Sequence, residues 1–154
     1  APSEAFRNLA MMLRIGGRAD FAVWASAKDS PWVSELMGVL KRHVDLPKPE
    51  PHAPGPFALD DADYFGGLLR DAGFTDVDFH LWRGTQWIGG PGARAAEARD
   101  FVMNAMSFAK VADEQPPAVR EAIAADLLAL FRMHETAQGV GMGAIAWLVS
   151  AQRA

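Results

Sequence analysis

Apolar positions recur along this chain with two periods, one helical and one extended. Phe6, Leu9 and Leu13 recur at helical spacing and predict a helix over residues 3–13, with Ser3 as its cap and Gly16-Gly17 as its stop. The continuous run Phe21-Ala22-Val23-Trp24 predicts a strand over 20–26, covered on both faces. Ser30-Pro31 is a cap followed by a first-turn proline, and Trp32, Leu36, Val39, Leu40 and Val44 line one side of the helix it opens. Pro47, Pro49, Pro51, Pro54 and Pro56 block regular structure and make residues 46–57 a structured connecting loop. Phe65, Leu68, Leu69 and Ala72 predict a helix over 60–72, stopped by Gly73. Val77, Phe79 and Leu81 alternate with Asp78 and His80, the mark of a half-buried strand over 76–82.

The second half reads the same way. Gly89-Gly90-Pro91-Gly92 is a turn, followed by one long helix over 94–109. Pro116-Pro117 starts a helix that runs to about residue 136, with Val119, Ile123, Leu127, Leu130 and Phe131 as its core stripe. Residues 139–143 form a glycine-spaced turn, and 142–150 the last strand. The whole is an α/β chain of three strands and about five helices.

Composition narrows the chemistry. With 154 residues, half of them apolar, the chain can bury a core, which excludes a disordered or collagen-like protein. It holds no cysteine, so disulfides, thiolate zinc sites and a cysteine nucleophile are excluded. A net charge of −4 and scattered basic residues argue against a nucleic acid or an anionic membrane as partner. No stretch reaches the roughly 18 apolar residues of a membrane span, and no signal pattern opens the chain, so the expected location is the cytoplasm.

Catalytic groupings are sparse. His43, His52, His80 and His134 lack metal-ligand spacing, and no metal is expected. His43 and His134 fall at helix ends, where positive charge is favourable. His80, on the polar side of its strand, is the one candidate base. Asp60, Asp61 and Asp63 start a helix and read as caps rather than metal ligands. Gly139, Gly141 and Gly143 precede a strand, so they cannot cradle a dinucleotide, which needs strand, glycine loop and helix in that order. Trp24, Trp32, Phe57, Trp87, Met103 and Met106 are candidate walls of an apolar substrate pocket, although each has an ordinary core reading.

Several segments together resemble a family. Ala5-Phe6-Arg7-Asn8-Leu9, then Leu13-Arg14-Ile15-Gly16-Gly17-Arg18 and the strand ending in Trp24, resemble the surroundings of the fifth strand of class I S-adenosylmethionine-dependent methyltransferases. Ile15 stands where that family usually has proline. Pro31-Trp32 and Gly55-Pro56-Phe57-Ala58-Leu59 are similar to one bacterial branch of it. Leu69-Arg70-Asp71-Ala72-Gly73-Phe74-Thr75-Asp76-Val77 resembles its passage into the sixth strand, and Ala146-Trp147-Leu148-Val149-Ser150-Ala151 its closing strand.

The resemblance implies a partial Rossmann-like fold. Its three-stranded mixed sheet would have the order first, third, second, with the last strand antiparallel in the middle. Residues 1–154 would be the C-terminal part of the domain, with 28–59 and 84–139 as substrate-side connections, the two-helix stretch from 83 to 139 forming a lid. The family's glycine-rich donor loop and ribose-binding acid have no counterpart here, and the chain starts at Ala1 rather than Met. The implied function is methyl transfer from S-adenosylmethionine to a small, hydrophobic acceptor, this chain supplying the acceptor side and being inactive alone. It would bind the donor weakly or not at all. The alternative is a non-catalytic ligand-binding or self-associating module. Strand 20–26 would have an open apolar edge, which predicts a homo-oligomer.

Overall fold

A computed structural model describes residues 2–154. The described residues form a mixed α/β arrangement of six α-helices, one short 3₁₀ turn and four strands. The strands are β1 (Arg18–Trp24), β2 (Phe74–Ile88), the two-residue β3 (Glu135–Thr136) and β4 (Gly139–Arg153). The sheet order is β1-β4-β2, with β3 paired to β4. β1 runs antiparallel to β4, from Arg18 opposite Gln152 to Trp24 opposite Ala146. β2 also runs against β4: Thr75 lies beside Gln152, and Thr85 and Trp87 lie beside Gly141. The last long strand therefore sits between the other two, as expected, but the three-stranded mixed sheet is corrected to four strands whose pairings are antiparallel.

The chain divides into two compact units. The first comprises the segment ending at Asp29, Pro49–Arg83 and Ile145–Ala154. In it α1 (Pro2–Met12) and α3 (Ala62–Asp71) pack together, and Phe6, Ala10, Phe65 and Leu69 from these helices share a core with Phe74, Val149 and Ala151 from the sheet. Phe21 meets Phe6, Phe65 and Phe74 edge to face, the arrangement the ring quadrupoles favour. Asp61 starts α3 as the capping reading requires: its carboxylate accepts the Tyr64 N–H at 2.9 Å.

The second unit comprises Ser30–Lys48 and Gly84–Ala144. Its helices are α2 (Pro31–His43), α4 (Ala95–Ala105), α5 (Ser107–Asp113) and α6 (Pro117–His134), and α6 packs against each of the other three. Leu36, Val39, Leu40, Val102, Ile123, Leu127 and Phe131 are buried here.

Four expectations need correcting. The single helix over 94–109 is two helices, because Met106 is extended (φ −97°, ψ 163°). Just before it, the Asn104 amide donates to the Asp100 carbonyl at 2.7 Å, within α4. With α5 separate, the helices number six rather than about five. The strand over 76–82 extends to Ile88, so Trp87 lies on β2 and the connection after it begins later than residue 83. The turn over 139–143 belongs to β4: a Cβ on Gly141 would lie 2.8 Å from Trp87 Cζ3, and one on Gly143 would lie 3.1 Å from Pro31 Cγ. Those glycines mark close approaches inside a strand, not a bend.

Candidate functional site

In the first unit, β1 ends at Trp24 and the proline loop carries Phe57 to it. Their ring centroids are 6.5 Å apart with planes tilted by 33°. Loops of this composition hold little structure of their own. Three further contacts anchor the loop and the sheet around it. Trp147 Nε1–H donates to the Asp60 carbonyl at 2.9 Å, and the same indole meets Phe79 edge to face at 5.7 Å. His52, in left-handed backbone at φ 57°, stacks on Tyr64 with centroids 3.6 Å apart. The wall made by Trp24 and Phe57 is thus held by its surroundings, as a recognition surface requires.

The structure brings together Trp24 and Phe57 among the candidate residues. In the second unit, Trp32 is buried in the first turn of α2 and Met103 is buried in α4. Met106 is half-buried at the link between α4 and α5, and Trp87 is half-buried on β2 against Gly141. His80 is exposed on β2 in the first unit. Trp147 and Tyr64 were not candidates from sequence. Tyr64 is the sole tyrosine, one turn into a helix that follows the proline loop, and that placement was the available signal.

His43 and His134, read from sequence as helix-end charges, also bond across a seam. His43 Nε2 lies 2.8 Å from Asp126 Oδ2, and His134 Nε2 lies 2.9 Å from Glu35 Oε2, so α2 and α6 each give one histidine and one carboxylate. The bond to His43, together with Arg42 at 3.0 Å, holds the Asp126 carboxyl below the usual carboxylate range. These are structural pairs between helices.

One passage runs strand, glycine turn, helix: β2, Gly89 to Gly92, α4. Anion recognition there would need free amides at the helix start. Two of them are taken, since Glu97 accepts the Arg94 N–H at 2.7 Å and Glu135 accepts the Ala95 N–H at 3.2 Å, and both acceptors are carboxylates that would repel an anion. This turn therefore does not fit a donor's carboxylate. Among the described residues no group of three His, Asp or Glu could hold a metal ion, and no helix is long and apolar enough to cross a membrane. A surface groove of about 600 Å³ between α1 and the chain end, lined by Arg7, Asn8, Gly73 and Arg153 among others, contains none of the candidate residues.

Neither a scan against protein-family models nor a search of curated proteins finds a match for this chain.

Proposed function

We propose that the chain is the acceptor-side part of a Rossmann-like, S-adenosylmethionine-dependent methyltransferase acting on a small hydrophobic or aromatic molecule. The observation that carries this reading is the Trp24–Phe57 wall at the carboxyl end of β1. In open α/β sheets ligands bind outside the carboxyl ends of strands. The sheet order supports it as well, with the last strand running antiparallel between the first and the second.

Methyl transfer suits such a wall. The reaction is a displacement at a carbon whose sulfonium leaving group is already activated. The protein's task is to hold the acceptor in line and keep water away, which apolar rings accomplish. A base is needed only for some acceptors, so the sparse acid–base chemistry of this chain is compatible with the reaction. The donor's own site would lie in sequence beyond these residues.

The test uses the parent protein, expressed with its upstream coding sequence. Trp24→Ala and Phe57→Ala should each raise KM for the acceptor while leaving donor affinity unchanged. An upstream frame that closes at a stop codon without a glycine-rich donor loop would count against the reading. So would variants that weaken donor and acceptor equally.

A further inference from the structure

β1 is the end strand of the sheet, and among the described residues no second strand pairs with it. Its hydrogen bonds to β4 come from odd-numbered positions: the Ala25 N–H donates to the Ile145 carbonyl, and the Gly17 carbonyl accepts from the Arg153 N–H. In an antiparallel ladder the bonding direction alternates from residue to residue. Arg18, Asp20 and Ala22 therefore direct their backbone N–H and C=O groups toward the open edge. Such an edge is a template for another strand.

The sequence of β1 is complementary to itself in one antiparallel register. With Phe21 on a two-fold axis, all seven residues of β1 overlap their copies. Asp20 then faces Ala22 of the other copy, Arg18 faces Trp24, and Ala19 faces Val23. No like charges are opposed, and Arg18, whose guanidinium pairs with Asp20 of its own strand at 2.8 Å, faces an aromatic residue. Shifting the copies by two residues one way sets Asp20 against Asp20. Shifting them the other way leaves Arg18 without a strand residue opposite it. Register in a half-buried sheet is fixed by such patterns.

We propose that a second copy of this chain occupies the β1 edge in this register, joining two sheets into one through a two-fold axis at Phe21. The occupant is argued from the full overlap and the charge pattern, and the inference concerns the 154-residue chain itself; it competes with the methyltransferase reading for this edge, which a preceding strand of a longer Rossmann-like protein would take. The backbone of Asp20 and Ala22 supplies the bonds and the side chains supply the register.

Sedimentation of the purified chain at high micromolar concentration tests this, with amide hydrogen exchange on the same sample. The expected result is a dimer, with the Asp20 and Ala22 amides protected in proportion to dimer content. Ala22→Glu opposes a new carboxylate to Asp20 twice and should weaken the dimer about tenfold. Because Ala22 is exposed, its melting curve should stay close to that of the parent. Asp20→Lys combined with Ala22→Glu restores opposite charges and should restore the dimer. A monomer with fast exchange at Asp20 and Ala22 would overturn the proposal and leave the edge to a strand from outside this chain. A dimer unchanged by folded Ala22→Glu, or not rescued by the double change, would overturn it as well. The exchange measurement on the unaltered chain decides the matter even where a variant fails to fold.

Discussion

Two glycines predict opposite responses to the same substitution. At Gly141 a Cβ would meet Trp87 at 2.8 Å and Thr85 at 2.9 Å. Gly141→Ala should therefore lower unfolding stability by about 1–3 kcal/mol, the range for overpacked sites. At Gly38, inside α2, a Cβ meets nothing within 4 Å. Gly38→Ala should raise stability by about 0.5–1 kcal/mol through helix propensity and unfolded-chain entropy. Urea unfolding of both variants checks the pair. Asp126 carries a pH signature. Its carboxyl is held low by His43 and then by Arg42, so its contribution is present above the unfolded-state value of about 3.9 and disappears as pH falls through the folded value. Asp126→Asn should cost more stability at pH 7 than near pH 2, because the parent's carboxylate takes up its proton as pH falls through the folded value. Denaturation at the two values measures this, and an equal deficit at both would contradict it.

The elements show which signals were legible. Asp61 was readable as a cap because a short carboxylate before an apolar helical stripe has few better uses. Asp61→Ala should cost about 1 kcal/mol in thermal or urea unfolding, with Asp61→Asn nearly neutral. Pro31 likewise located the start of α2. The break at Met106 was not legible, since neither glycine nor proline marks it. The far half of β2 was hidden by Arg83-Gly84-Thr85-Gln86, which interrupts the apolar alternation, yet pairing with β4 carries the strand through. Gly139, Gly141 and Gly143 resembled a turn because glycine serves both bends and close approaches. Only the position of Trp87 and Pro31 in space distinguishes the two. The candidate site divides in the same manner. Trp24 was readable from the end of a strand and Phe57 from its place in a connection. The supports from Trp147 and Tyr64 depend on tertiary contacts that no local pattern encodes.

At the scale of the molecule, the chain has an apolar wall, a sheet with its last strand in the middle, and no fitting donor cradle at the glycine turn before α4. The 154-residue chain should accordingly show weak or no heat of binding with S-adenosylmethionine in titration calorimetry. The decisive comparison is the same titration on the protein extended by its own upstream coding sequence. The account predicts saturable donor binding in the micromolar range for the extended protein and little or none for the 154-residue chain. An extended protein that folds but does not bind the donor, or tight binding by the 154-residue chain itself, would contradict it.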